Sequence, residues 1–101
     1  MACSTPPGRG AISTVRLSGK RAVNIIQKIT RRKLKKKSYV LEFPLEKGLK
    51  EKCVLTIFRS PNSYTGEDVV EISTHGNPLI VEKVIQQCVN AGAFIAEPGE
   101  F

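Results

Sequence analysis

An α+β fold, with a mixed sheet of about five strands and two helices on one face, is what this sequence predicts. Three observations carry it: short β-branched segments bounded by Gly, Pro and Asn, two stretches with apolar residues at helical spacing, and an element order β-α-β-β-β-α-β. With 101 residues the chain forms one domain, spanning 1–101, and buries roughly 60 to 70% of its unfolded surface.

The first strand is expected over Ala11 to Leu17, just after the rigid turn Pro6-Pro7-Gly8. From Lys20 the pattern changes. Ala22, Val23, Ile25, Ile26 and Ile29 recur at helical spacing, with Ser18 placed to cap the first turn. Lys20 and Arg21 oppose that helix's dipole at a cost of about 0.3 to 1 kcal/mol each, which a packed apolar stripe outweighs. Tyr39 to Leu45 and Cys53 to Phe58 then read as two strands joined by a charged turn around Gly48, and Pro44 directs the first of them to a sheet edge.

Val69 to Thr74 is the next strand. A second helix follows, with Asn77 as its N-cap, Pro78 in its first turn and Ile80, Val81, Val84, Ile85 and Cys88 as its buried stripe. Gly92 ends it in a left-handed conformation, and Phe94 to Ala96 forms a last short strand.

The charge distribution bears on partners. The net charge is +7, but Arg31, Arg32, Lys33, Lys35, Lys36 and Lys37, in a basic loop over 30–37, supply nearly all of it. Such a run is either a solvated loop or a nucleic-acid contact that neutralises several phosphates. Cys3, Cys53 and Cys88 are odd in number and widely spaced, which suggests neither a disulfide framework nor a metal site and fits a reducing cytoplasm. No apolar run reaches the roughly 18 to 20 residues of a membrane span, and no export signal is expected.

Two strand residues break the apolar pattern: Arg16 in the first and Glu71 in the fourth. A charge on a half-buried strand is paired or bound to something. By alternation Arg16 shares a face with Ile12 and Thr14, and Glu71 with Val69 and Ser73. Either the two charges pair with each other or meet solvent, or they line a heterocycle pocket, where Arg suits a carboxylate or carbonyl and Glu an amino-pyrimidine edge. Gly8-Arg9-Gly10 is no phosphate loop, because no third glycine or Lys-Ser/Thr follows. His75, the sole imidazole, stands between a strand end and a helix start, and no catalytic triad can be drawn around it, so no catalytic residue is assigned.

The ordered motifs Thr5-Pro6-Pro7-Gly8-Arg9-Gly10, Val15-Arg16-Leu17-Ser18-Gly19, Pro61 to Glu71, His75-Gly76 and Pro98-Gly99-Glu100-Phe101 resemble the N-terminal domain of the MnmE/TrmE family of tRNA modification GTPases. The resemblance implies a tetrahydrofolate-binding domain similar in fold to the folate domain of aminomethyltransferase, and a homodimer contact. It places folate-contacting roles on Arg16 and Glu71, with Arg9, Asn62, Tyr64, His75 and Glu100 as further pocket lining. The cofactor implied is a 5-formyltetrahydrofolate-like one-carbon donor, and the partners are a second copy, the flavoprotein MnmG and tRNA.

In that family the chain continues past Gly-Glu-Phe into a further folate-contacting lysine, helical segments and a GTPase domain that handles GTP, Mg and K. Those GTPase and helical domains are absent here, so a fragment of a longer protein is expected, with a decaying gene copy as the second explanation and no GTP hydrolysis by this chain alone. Lys20-Arg21 and Asn77 depart from the family's usual residues. The expected function is a folate-binding and dimerisation module. The alternatives are a nucleic-acid module using Arg31 to Lys37, or a dimerisation scaffold that has lost its ligand.

Overall fold

The computed structural model describes residues 2–4, 12–60 and 66–95. Within them the order is β1 (Ala2–Ser4), β2 (Ile12–Ser18), α1 (Ala22–Thr30), β3 (Ser38–Glu46), β4 (Leu49–Phe58), β5 (Val69–His75), α2 (Pro78–Asn90) and β6 (Phe94–Ile95). The strands form one sheet in the order β3-β4-β5-β2-β1-β6, antiparallel throughout except for the parallel pair β1 and β6. The expected α+β architecture is present, with β1 as a strand that periodicity did not reveal.

Alternation sorts each strand into two faces. Val15 and Leu17 of β2, Leu41, Phe43 and Leu45 of β3, Cys53, Leu55 and Ile57 of β4, and Val70 and Ile72 of β5 point into one core. Both helices cover that face and touch each other. Helix α1 inserts Ala22, Val23, Ile25 and Ile26, and α2 inserts Val84 and Cys88, with Ile29, Ile80, Val81 and Ile85 packed around them. A fully buried Leu or Ile is worth about 1.5–3 kcal/mol, so this interface dominates stability. Gln87 of α2 donates to the Pro44 carbonyl at 3.0 Å and Lys83 pairs with Glu46, fixing the helix against β3.

Ends of elements follow local chemistry. Asn77 caps α2 by accepting from the Leu79 N–H at 2.9 Å, with Pro78 at the first helical position, as expected. At the other end the Ala93 N–H reaches the Cys88 carbonyl and the Gly92 N–H reaches Val89, a Schellman closure that needs the φ of +119° at Gly92. Helix α1 differs from expectation. It starts at Ala22 with Arg21 as N-cap and no side-chain cap, because Ser18 is the last residue of β2, paired with Val69. The Gly19 N–H continues that pairing to the Asp68 carbonyl, so the chain turns into the helix only after Lys20.

Strand β4 begins at Leu49, four residues before the expected start at Cys53. Its charged residues alternate with the core set and therefore tolerate a strand. Lys47 and Gly48 both have positive φ, +40° and +83°, as a two-residue hairpin between twisted strands requires. Pro44 lies on β3, an edge strand with a register shift between Pro44 and Glu46, as its missing N–H dictates. Ala11, the expected first residue of β2, and Ala96, the expected last of β6, lie outside the described residues. Among the described residues no helix is long and apolar enough to cross a membrane.

Candidate ligand site on the open sheet face

The face of the sheet opposite the helices carries the Arg16 and Glu71 side chains. Strands β2 and β5 run antiparallel in register, so Arg16 lies directly across from Glu71 and Thr14 across from Ser73. The Arg16 guanidinium donates from Nε at 3.1 Å and from Nη2 at 2.8 Å to a single carboxylate oxygen, Glu71 Oε2. The Thr14 and Ser73 hydroxyls are 3.3 Å apart two positions along. Side-chain exposures of 34% for Arg16 and 22% for Glu71 leave the pair half-buried. Neither charge is stranded, and both are held in place by opposed backbone positions in neighbouring strands. On β4, Thr56 pairs with Glu71 from the other side.

Around this polar strip the same face is apolar. Ile12 is 69% exposed and Val40 64%, and with Val54, Ser73 and His75 they line a shallow cavity of about 240 Å³. Covering such residues with a partner or ligand is favourable by roughly 25 cal/mol per Å².

His75 stands at the end of β5, four residues from Glu71 and therefore about 13 Å along the strand. Its Nδ1 lies 2.6 Å from Glu51 Oε2, and its backbone N–H donates to the same oxygen at 3.2 Å. Glu51 is a residue that sequence reasoning missed. It falls within the expected charged turn, yet the alternation Glu51, Cys53, Leu55, Ile57 places it on the core face, where it is 8% exposed. Burial pushes the neighbouring Cys53 thiol from its ordinary 9.0 up to about 12, with the Glu51 charge adding to the shift. Cys53 and Cys88 are both buried.

Of the other expected pocket residues, Arg9, Asn62, Tyr64 and Glu100 lie outside the described residues. Among the described residues no cluster of three or more metal-ligating side chains occurs. The basic run is a separate surface: Arg31, Arg32, Lys33, Lys35, Lys36 and Lys37 are all exposed, while Leu34 between them is buried in the core.

Residues 1–101 match the family described as GTP-binding protein TrmE N-terminus. The chain is 41% identical over 102 residues to the tRNA modification GTPase MnmE of Helicobacter pylori strain Shi470, covering 99% of this chain and 23% of that protein. It is 43% identical to the enzymes of that name from Aquifex aeolicus, over 105 residues, and Thermotoga maritima, over 104, in each case covering 100% of this chain and 23% of the relative. The chain thus spans less than a quarter of the length of these curated relatives. The matched region takes in both halves of the Arg16–Glu71 pair and every strand of the sheet, and the chain belongs to the GTP-binding protein TrmE N-terminus family.

Proposed function

We propose that this chain is the folate-binding and homodimerisation module of a tRNA wobble-uridine modification GTPase, taking a 5-formyltetrahydrofolate-like one-carbon donor. The observation that supports it best is the Arg16–Glu71 pair, fixed by direct cross-strand register on the face opposite the helices.

The donor set suits a pterin. A half-buried carboxylate accepts from the amino and ring N–H edge of a 2-aminopyrimidinone, and a guanidinium donates to a carbonyl or carboxylate. Arg16 bonds one oxygen of Glu71 and so orients the carboxylate before a ligand arrives, lowering the ordering cost of binding. The Thr14 and Ser73 hydroxyls add donors and acceptors beside the charges. When bound, the folate supplies the one-carbon unit. The residues of this chain bind it and hold its orientation.

A second copy is the proposed cover for the apolar part of the same face, where Ile12, Val40 and Val54 are exposed. The MnmG flavoprotein and tRNA are partners of the longer protein in this reading, and GTP with its Mg and K ions belongs to a domain these residues do not form. A cytoplasmic location goes with that role.

Calorimetric titration of 5-formyltetrahydrofolate into this chain, and into one extended by the relatives' next segment with its lysine, tests the reading. Saturable binding that Glu71→Gln or Arg16→Met weakens tenfold or more supports it. Heats of dilution alone in both chains reject it.

A further inference from the structure

The basic run is a built surface. Its backbone is held by five hydrogen bonds. The Leu34 N–H donates to Gln27 Oε1 at 2.9 Å, the Leu34 carbonyl accepts from Arg59 Nη2 at 2.8 Å, and the Lys37 carbonyl accepts from the Ile57 N–H at 2.8 Å. The Tyr39 hydroxyl accepts from the N–H groups of both Lys35 and Lys36. Leu34, 1% exposed, anchors the whole segment in the core.

Two aromatic rings lie under the cations, one just past the run and one distant in sequence. The Arg32 guanidinium sits 5.3 Å from the Tyr39 ring centroid, and Lys37 Nζ sits 5.8 Å from that of Phe58. Lys35, Lys36, Lys37, Phe58 and Arg59, with Ile57 beneath, line a cavity of about 280 Å³. No acidic side chain is among the described residues that line it. A loop that only needed solvation would not require its like charges to be gathered around one concavity, where they repel each other.

Resting on the reading that the longer protein acts on tRNA, we infer that this groove binds a single-stranded or looped RNA segment, phosphates against Lys35, Lys36, Lys37 and Arg59 and a base against Phe58. A groove of cations with an aromatic floor is the arrangement that grips single strands, whose bases are free to stack. The concavity and the half-buried ring favour this over an anionic lipid surface, which a flat cationic face meets equally well. The fixed backbone reduces what must be ordered on binding.

The test is fluorescence anisotropy of the purified chain with a labelled single-stranded RNA 12-mer, a 12-base-pair RNA duplex and phosphatidylserine vesicles, each across a salt series. Four phosphate contacts to a single strand give a slope of about −3 in log K against log salt. Lys35→Ser/Lys36→Ser/Lys37→Ser is expected to weaken the single strand tenfold or more and flatten that slope by about 2. The charge-matched Lys20→Ser/Lys50→Ser/Lys52→Ser, with its cations elsewhere, is expected to change affinity less than threefold. Phe58→Leu keeps the apolar bulk and all charges, and loss of one stacked base costs about fivefold or more.

Equal losses in the two triple variants, tighter binding of duplex than of single strand, or binding of vesicles without RNA would each overturn the inference. Folate binding by a chain indifferent to RNA would overturn this inference alone. RNA binding without folate binding would leave it standing and remove the folate reading.

Discussion

One oxygen of Glu51 holds both the ring and the backbone of His75, with Oε2 lying 2.6 Å from Nδ1 and 3.2 Å from the N–H. The carboxylate comes from the core face of β4 and ties that strand to the end of β5, two residues before the Asn77 cap of α2. It joins a strand, its neighbour and a helix start through one buried acceptor.

Replacing Glu51 with Ala removes that acceptor and leaves the His75 N–H without it, so a loss of about 1–3 kcal/mol is expected in urea unfolding. Glu51→Gln keeps an acceptor of the same length and is expected to lose less. Equal stability for all three chains would show that water serves His75 as well as Glu51 does.

The Cys53 thiol, raised to about 12 by burial first and the Glu51 charge second, should resist iodoacetamide at pH 8 in the folded chain and react once urea unfolds it. Its contribution to stability is fully present below 9.0 and is lost as pH rises toward 12, since the unfolded thiol releases its proton first. The slope from this one group is at most about 1.4 kcal/mol per pH unit. Comparing alkaline unfolding of the parent chain with that of Cys53→Ala isolates it.

Gly92→Ala forces a Cβ into a φ of +119°, a strain that an ordinary 3.7 Å contact with Ile25 does nothing to relieve, and is expected to destabilise by about 1 kcal/mol. Asn77→Ala removes the cap at the other end of α2 at a similar cost of about 1 kcal/mol. Thermal unfolding of each single variant and of the double measures both, and near-additive losses are expected because the sites sit at opposite ends of a 13-residue helix.

The Arg16–Glu71 pair separates binding from stability. Its two side chains are 34% and 22% exposed, so solvent screens their attraction and a double-mutant cycle of Arg16→Met and Glu71→Gln should return about 1 kcal/mol or less. The folate affinity of the same variants should fall at least tenfold. A large coupling energy with unchanged folate affinity would mark the pair as a structural tie between β2 and β5.

Much of this was legible in the chain because the periodicities are local. The α2 cap, its apolar stripe and the Gly92 ending are encoded within a turn of where they act, and each lies where expected. Arg16 and Glu71 stood out as charges on apolar strands, although only the register of β2 against β5 decides that they face each other. Misreadings arose where tertiary context overrode local rules. Ser18 has the chemistry of a helix cap, but sheet pairing with Val69 claims it. Glu51 sits among lysines and resembles turn residues until alternation carries it inward. Phe58 and Arg59 could not be joined to the basic run from sequence, because the β3 and β4 pairing is what returns them to it.

The parallel contact of β1 with β6 carries a kinetic implication. Ala2 meets Phe94 and Cys3 meets Ile95, so this margin of the sheet cannot assemble until the long stretch between them has been threaded into place. The β3–β4 hairpin, joined by only Lys47 and Gly48, closes on microsecond scales by comparison. Folding should therefore begin at the β3–β4 hairpin and finish with β1 zipping onto β6.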